Sequence, residues 1–551
     1  MDLSHLNETT KCKILDLLVE YSSVFVHTDE RVGLFKGVKF PIPTQPGKVV
    51  CRYGYKVPYA LREPYEKELQ RLLKLGLIVR SNSSWCNPSI FLHKVLPCGR
   101  IKAKIAIDAR WLNNITEHTV SYQTKRINES IDFLAGKSFL SKFDVASAYN
   151  NIEVEPADRH KLAFEGGIHG ERYEYTRMPY GVKYAPFFYQ MATDACLAGI
   201  SNCLSYFDDL AIATTTEDDH IETLKSVFQR IKGSGLRLRL DKSSIMPRKL
   251  EFLGFEIFEG KIKVSEAKLE AVKNFKPPTN RKHLQSFLGL ASWMRAHVKG
   301  FSDKARPLHK LTRKGTKWEW TEVEEKAFQE LKAALTSPPV ILHLPDLSKP
   351  MFVTTDSSLY SAGCILSQFD GKIERIIAYA SRQLTRSEAK RSTFQRELGA
   401  VVWALEHFRM YLLATNTTVR TDHRALLNLK DTGQYCPLVT RMIAKLQQYD
   451  VTWQYWPGKT IPSDVISRSH DEPCEDDSPD LKTTVPHSSR VVLPVEGTPP
   501  APHLIKQISA MDNWIGRPET IQAQTADRYQ RALFKCIKVS VPFIFFSISL
   551  V

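Results

Sequence analysis

Zinc-type spacing is absent from this sequence. Its ten cysteines form no C-x-x-C pair and no Cys/His cluster of the kind that binds structural zinc. The thiols are therefore expected to be small core residues in a reducing compartment. A secretory leader is missing too, because polar residues interrupt residues 1–18 and no apolar stretch there ends in small residues. Secretion is not expected, and the localisation read from the sequence is cytoplasmic. Long apolar runs are also lacking. The most apolar, residues 541–551, falls well short of the ~20 residues that span a bilayer. It is read as a truncated or frameshifted end and not as an anchor. No internal repeat appears.

What is present is a long, well-patterned and basic chain. At 551 residues it exceeds one core, so roughly three or four domains are expected. Hydrophobic content of 43% and aromatic content of 10% are enough to pack them. A net charge of +16 favours a polyanionic partner, since Lys and Arg that neutralise phosphates release condensed counterions.

Periodicity divides the chain. Leu69, Leu72, Leu73 and Leu77 share one face of an amphipathic helix over 66–77. Strand-like runs follow at 89–94, 101–108, 141–147 and 202–213, separated by helical text, which indicates a mixed α+β domain. Residues 265–336 read as mostly helical, with Leu284, Phe287, Leu288 and Ala291 in register and Pro277-Pro278 marking a break. Strands return at 351–355, 362–366 and 376–379, before a helix over 397–412 buries Leu398, Val401, Val402 and Leu405. Residues 471–503 turn acidic and proline-rich and are read as a linker.

Two groups of acids carry the chemical signal. In the first, residues 204–213 read as two strands joined at Phe207-Asp208, projecting Asp208 and Asp209 from a hairpin tip. A second strand holding Asp144 could bring a third carboxylate alongside. Nucleotidyl transfer needs such a cluster, because two Mg²⁺ ions about 3.5 to 4 Å apart activate the primer hydroxyl and stabilise the leaving group. Adjacent aspartates are often plain surface charge, and Asp218-Asp219 and Asp476-Asp477 are controls within this chain. Only Asp208-Asp209 is embedded in apolar strand text: Leu204, Tyr206, Leu210 and Ile212. The second group is Asp356 at a strand end, Glu397 on the long helix, Asp422 after residues 418–421, and Asp464 in a Pro462-Ser463-Asp464-Val465 run.

With Gly76-Leu77-Ile78, Ser84-Trp85, Ile107-Asp108-Ala109-Arg110, Leu112-Asn113, Phe143-Asp144-Val145, Met178-Pro179-Tyr180-Gly181, Ala185-Pro186 and Phe252-Leu253-Gly254 in order, the sequence resembles the Pol proteins of gypsy-type LTR retrotransposons. More distantly it resembles retroviral Pol. The resemblance runs from about Ile14 to Arg468. It implies an RNA-directed DNA polymerase, also DNA-templated, with a ribonuclease H that degrades RNA in RNA/DNA hybrids. It makes Asp144 and Asp208 the principal metal ligands, Asp209 the third carboxylate, and Tyr149 the residue that stacks under the incoming sugar and rejects a 2′-hydroxyl. Lys104 stands where the family usually has an arginine on the nucleotide phosphates, and lysine keeps the charge but loses the fork. Tyr180 stands where retroviral enzymes carry glutamine, and Leu253-Gly254 resembles the primer grip, although a strand-turn glycine accounts for it equally well. Thr355-Asp356-Ser357-Ser358, Glu397-Leu398 and Arg420-Thr421-Asp422-His423 match the retrotransposon nuclease, making Asp356, Glu397, Asp422 and Asp464 its metal-binding acids. Tyr455 stands near the place of a retroviral histidine, and His423 is left off the catalytic list.

The fold implied is an α+β right-hand polymerase followed by a mixed α/β RNase H-like domain and a disordered C-terminal tail. Its segments are a lead-in over 1–57, fingers and palm over 58–257, thumb and connection over 258–345, and the nuclease over 346–468. An acidic, Pro-rich linker over 469–503 and a truncated tail over 504–551 follow, residues 521–530 resembling the lead into integrase. Expected cofactors are Mg²⁺, two per active site, or Mn²⁺ in its place. Expected partners are RNA and DNA template-primer, RNA/DNA hybrid and dNTPs, with a homodimer or other Pol products as further partners and no membrane. An active element would place the enzyme in a cytoplasmic virus-like particle. Two alternatives stand beside this one: a decayed or domesticated nucleic-acid-binding relic, and a polymerase of the non-LTR or telomerase class. Asp431-Thr432-Gly433 spells an aspartic-protease signature, but Gln434 follows and no apolar strand precedes it, so it is read as a turn.

Overall fold

The computed structural model describes residues 3–26, 32–95, 101–117, 122–166, 170–336, 341–429 and 435–457. Asp464, the protease-like triplet 431–433, the linker 469–503 and the tail 504–551 lie outside the described residues. No helix among the described residues is long and apolar enough to cross a membrane. The chain divides into two compact units, one of residues 3–133 and 137–248, the other of residues 249–457 with the short piece 134–136.

The first unit is organised by a five-stranded sheet. Its order is Phe25–Val26, Leu238–Ile245, Phe139–Val145, Asp209–Thr214 and Cys203–Tyr206, and the central strand is antiparallel to both neighbours. Alternation along the central strand buries Ser141, Phe143 and Val145 and leaves Lys142 and Asp144 on the half-open face. The buried face meets helix Glu217–Ser234, whose Leu224, Val227, Phe228 and Ile231 form an i, i+3, i+4, i+7 stripe with no exposed surface. Phe143 packs edge-on against Phe228 at 5.3 Å. That helix begins where Thr216 accepts the Asp219 amide at 3.3 Å. The control pair Asp218-Asp219 therefore lies in a helix first turn, where negative charge is favoured by the dipole. The helix stops at Gly235, with φ 84° and space for no side chain, since a Cβ would stand 2.2 Å from the Leu34 carbonyl.

Elsewhere in this unit lie the three-stranded sheet Ile78–Arg80, Glu171–Tyr175 and Ala163–Gly166 and the hairpin Ser89–Val95 with Ile101–Ile107. Helix Arg62–Lys74 buries Tyr65, Leu69 and Leu72. It starts and stops earlier than the leucine spacing suggested, because Gly76 turns left-handed at φ 65° and Leu77 is recaptured as its amide bonds the Leu72 carbonyl.

The second unit holds two sheets and the helices between them. A small antiparallel sheet joins Leu250–Phe252, Phe255–Phe258, Lys261–Val264 and Leu342–His343. Its first hairpin turns through Leu253-Gly254, both at positive φ, as a two-residue connection requires. Helices Glu266–Lys273, Arg281–Trp293, Phe301–Thr312 and Glu322–Thr336 follow, the second burying Leu284, Phe287, Leu288 and Ala291 as the sequence indicated. The larger sheet has the order Ile373–Gln383, Ser361–Asp370, Met351–Ser357, Thr417–Thr421 and Val451–Tyr455, its last two pairings parallel. Helix Thr393–His407 buries Leu398, Val401 and Leu405 in the core beneath that sheet. The expected single helix over 397–412 is two helices, interrupted at Phe408, whose amide still bonds the Ala404 carbonyl.

Candidate active sites

In the first unit, register assembles the acids. Cross-strand pairing sets Asp209 opposite Asp144, and Tyr206 opposite Asp209, so the hairpin closes through Phe207 and Asp208. Phe207 takes the left-handed conformation, φ 50°, and its amide donates to Gln190 Oε1 at 2.6 Å. Gln190, buried on helix Ala185–Cys196, also donates to Ser205, and the Val145 amide donates to the Asp208 carbonyl at 2.8 Å. The turn is thus fixed from the helix side and from the central strand.

The electrostatics are those of crowded acids partly relieved by lysines. Burial, then Asp144 and Asp209, push the Asp208 carboxyl up to about 6. Burial also raises Asp144, against the opposing pull of Lys242. Lys142 Nζ stands 3.1 Å from Asp209 Oδ1, and Lys242 Nζ 3.5 Å from Asp144 Oδ2. Asp208 Oδ1 is buried with no hydrogen-bond partner. Tyr149, in the tight turn Ala148–Asn151, lies 5.0 Å from the Tyr180 ring and 5.6 Å from the Tyr189 ring. Burial first, then Asp208, lift its hydroxyl to about 12. Lys104 Nζ sits 4.2 Å from the Tyr180 centroid, and its charge favours the ionised form of Asp208. The six residues expected here, Asp144, Asp208, Asp209, Tyr149, Lys104 and Tyr180, lie together; Lys142, Lys242 and Gln190 join them and were not expected. An alternating strand rule applied to Asp144 would have put Lys142 on its face; nothing in the sequence signals Gln190.

In the second unit, Asp356 stands near the end of the middle strand, Asp422 just past its parallel neighbour, and Glu397 on the helix packed beneath. Their ligand oxygens all lie within 4.8 Å of one another, and among the described residues no other acid, His or Cys trio closes so far. Burial, then Asp356 and Asp422, push Glu397 up to about 9, and its Oε2 is buried without a hydrogen bond. The arrangement fits a divalent cation, because hard oxygens, mutual repulsion and an orphaned buried acceptor are all relieved by one. Asp464 lies outside the described residues. His423 turns its ring toward Phe394, 6.0 Å away, and Tyr455 ends the strand Val451–Tyr455 with Arg424 4.8 Å from its ring. One acid was not foreseen: Asp303, on helix Phe301–Thr312, accepts from Ser361 Oγ at 3.0 Å, and burial is the first cause that lifts it to about 6. Its sequence context carries no sign of this.

Residues 98–257 match the family described as reverse transcriptase (RNA-dependent DNA polymerase), and residues 320–419 match the RNase H-like domain found in reverse transcriptase. The chain carries a reverse transcriptase domain followed by an RNase H-like domain. Its homologues are retrovirus-related Pol polyproteins from transposons, consistent with the gypsy type. The protein from transposon opus of Drosophila melanogaster is 30% identical, over 82% of this chain and 46% of that one. That from transposon 412 of the same species is 28% identical over 84% and 37%. The chain thus spans less than half the length of these relatives. Among solved structures, a foamy viral protease-reverse transcriptase in complex with dsDNA superposes with TM-score 0.68 at 23% identity, covering 84% of this chain and 96% of that one. Another, in complex with ds DNA, gives TM-score 0.71 at 22% identity over 83% and 80%. The reverse transcriptase fold followed by an RNase H-like fold is therefore that of this chain.

Proposed function

We propose that the chain is an RNA-directed DNA polymerase, able to copy DNA as well, with an associated ribonuclease H that removes RNA from the hybrid it makes. The observation that carries this reading is the presence, in one chain, of two separate acid trios, each with a buried carboxylate oxygen left without a partner. In the polymerase site Asp144, Asp208 and Asp209 would hold the metals, and in the nuclease site Asp356, Glu397, Asp422 and, beyond the described residues, Asp464 would do so. Bound Mg²⁺, or Mn²⁺, supplies activation of the attacking oxygen and charge stabilisation at the leaving oxygen.

The chain's own residues do the rest. Lys104 offers a cation to the nucleotide phosphates, and Tyr180 holds that ammonium over its ring. Tyr149, wedged between Tyr180 and Tyr189, presents a rigid wall on which a 2′-hydroxyl would clash, a selection by shape. Gln190 fixes the turn that aims Asp208. Template-primer and RNA/DNA hybrid are the proposed substrates, and foamy viral relatives of this fold bind dsDNA and RNA/DNA hybrid. Primer extension on poly-rA tests the polymerase reading: wild type should extend and Asp208→Ala should not, while equally poor extension by both would sink it. Hybrid cleavage tests the nuclease, since activity left intact by Asp356→Asn would remove that assignment.

A further inference from the structure

Residues 358–361 turn the chain between the strand that carries Asp356 and the strand beside it. Register sets Asp356 opposite Gly363 and Ser357 opposite Ala362, so whatever moves this turn moves the Asp356 end of the strand. Within the turn the Ser358 amide donates to the Ser361 carbonyl at 2.9 Å, and Ser358 Oγ accepts from the amides of Tyr360 and Ser361 at 3.1 and 3.0 Å. Those bonds fix the shape of the turn. They do not fix where it stands against the helix that carries Glu397, and two side chains from other elements do that.

The first is Arg396, beside Glu397 on helix Thr393–His407, whose Nη1 donates to the Ser358 carbonyl at 2.6 Å. Ser357 in turn bonds Glu397 through its backbone. The second is Asp303, whose Oδ2 accepts from Ser361 Oγ at 3.0 Å. Its helix, Phe301–Thr312, is docked at its start: the Ser302 amide donates to Ser381 Oγ at 2.9 Å, and Arg295 Nη2 donates to the Ser381 carbonyl at 2.7 Å. Ser381 pairs with Gly363, and Gly363 pairs with Asp356. The helix start is thus tied to the same row of the sheet as Asp356. One turn further along, Arg306 lies 4.9 Å from the Tyr360 ring.

Asp303 is not one of the acids whose oxygens converge within 4.8 Å. Its carboxylate is spent on the turn. Carboxylates crowded into one site repel each other, so the backbone that carries them has to be held from outside. Groups that support metal ligands in this way commonly decide metal affinity, and losing one costs roughly 10–100-fold.

We propose that Asp303 is a positioning residue of the nuclease site: through the Ser361 hydroxyl it holds the turn 358–361, and with it the Asp356 carboxylate, against Glu397 in the arrangement that a metal ion requires. This rests on the proposed nuclease reading. It makes Asp303 a hydrogen-bond acceptor and not a metal ligand, so charge and acceptor can be separated experimentally.

The test titrates Mn²⁺ against the full chain and three variants, Asp303→Ala, Asp303→Asn and Ser361→Ala, and reads the metal-dependent rise of the thermal midpoint without nucleic acid. Asp356→Asn supplies the baseline left by other sites. The same metal series is then read by cleavage of an RNA/DNA hybrid. Asp303→Ala and Ser361→Ala should each raise the Mn²⁺ concentration at which the midpoint begins to climb, and that for half-maximal cleavage, by about tenfold or more, the low end of what losing such a support costs. Combining the two should add nothing, because both remove one bond. Asp303→Asn should follow wild type, since its amide oxygen still accepts from Ser361. Metal-free midpoints close to wild type show that the variants fold, and if Asp303→Ala does not, Asp303→Asn and Ser361→Ala carry the test. An unchanged Mn²⁺ response in Asp303→Ala or Ser361→Ala would overturn the inference. So would losses that multiply when the two are combined, an Asp303→Asn chain as weak as Asp303→Ala, or a wild-type rise no larger than that of Asp356→Asn. A wild type that binds Mn²⁺ but cleaves no hybrid refutes the nuclease reading alone, because a midpoint that depends on Asp303 and Ser361 still supports the link.

Discussion

The two acid trios of this chain solve the same problem differently. In the proposed polymerase site the carboxylates are answered by cations, Lys142 at 3.1 Å from Asp209 and Lys242 at 3.5 Å from Asp144, and Asp208 rises only to about 6. In the proposed nuclease site the carboxylate oxygens converge within 4.8 Å, and Glu397 is driven to about 9 with its Oε2 orphaned. The lesson concerns what completes each site. An acid cluster already relieved by lysines exerts a weaker pull on metal and is completed by ligands that arrive with the substrate, as Mg²⁺ commonly borrows phosphate oxygens. A cluster in which the pull of Arg396 still leaves Glu397 raised to about 9 gains more from metal alone.

The largest effects should separate the sites outright. Asp208→Asn is expected to lower nucleotide addition by ~10³-fold or more, the equivalent of losing about 4 kcal/mol of transition-state stabilisation. Hybrid cleavage should stay within twofold of wild type. Asp356→Asn should give the mirror image. Primer extension and hybrid cleavage on the same preparations would read both, and a variant that lost both activities together would break the idea of two independent centres.

Next in size is the response to metal without substrate. Mg²⁺ or Mn²⁺ at about a hundred times its Kd should stabilise the folded nuclease site by ~2.7 kcal/mol, seen as a rise in thermal midpoint. Glu397, held up at about 9, is protonated and neutral in the metal-free protein at neutral pH, so Glu397→Gln should leave the metal-free midpoint nearly unchanged, while the metal-dependent rise disappears. Asp208→Asn should change the metal-dependent rise little. If instead Asp208→Asn abolished it and Glu397→Gln did not, the contrast between the trios would be reversed.

Much of this was legible in the sequence because it depends on local rules. The hairpin at Phe207-Asp208, the strand carrying Asp144 and the stripe Leu284, Phe287, Leu288, Ala291 all follow from side-chain period and turn chemistry. Strand ends were legible only to within a few residues: the runs expected at 362–366 and 376–379 extend to Ser361–Asp370 and Ile373–Gln383, because pairing with each other continues past the apolar text. What stayed hidden depends on register between distant segments. Asp303 meets Ser361 across 58 residues, and Gln190 meets Phe207 across 17. Neither residue type nor neighbours foretells such meetings, so no single-sequence pattern could have placed them.

A smaller effect contrasts the cores of the two units. Each buries a histidine whose pKa burial lowers to about 4, His220 in the first and His297 in the second. His220 bonds Ser141 Oγ at 2.7 Å and Thr214 Oγ1 at 3.0 Å, whereas neither ring nitrogen of His297 has a partner. Because the folded pKa lies below the unfolded value of about 6.5, each group's stabilising contribution is complete above that pH and is lost as pH falls toward 4. The ceiling is about 3 kcal/mol per histidine. His297→Phe should flatten the acid loss and hold or raise the midpoint at neutral pH, since it removes two unsatisfied nitrogens beside the stacked Phe255 ring. His220→Phe should also flatten the acid loss but cost about 1–2 kcal/mol at neutral pH through its two bonds. Thermal unfolding between pH 4 and 8 decides it, and identical neutral-pH costs for the two variants would refute the distinction.

The smallest effect bears on the cations that set the polymerase site apart. Lys104 keeps its ammonium 4.2 Å from the Tyr180 ring, exposed on strand Ile101–Ile107, a point charge where a guanidinium would offer two parallel donors. Lys104→Arg should therefore lower the nucleotide KM by about three- to tenfold, the worth of roughly 1 kcal/mol of added charge-assisted bonding, with kcat nearly unchanged because the group acts on binding and not on the acids. Lys104→Gln should raise KM and leave hybrid cleavage untouched. The Tyr180 ring accepts either cation, so the arginine is not evicted from its seat. Steady-state kinetics across nucleotide concentration would show it. A change in kcat with KM constant would mean that this cation serves the carboxylates directly, through its pull on Asp208, and the division drawn between substrate-completed and self-contained sites would then have to include Lys104 on the side of the metal ligands.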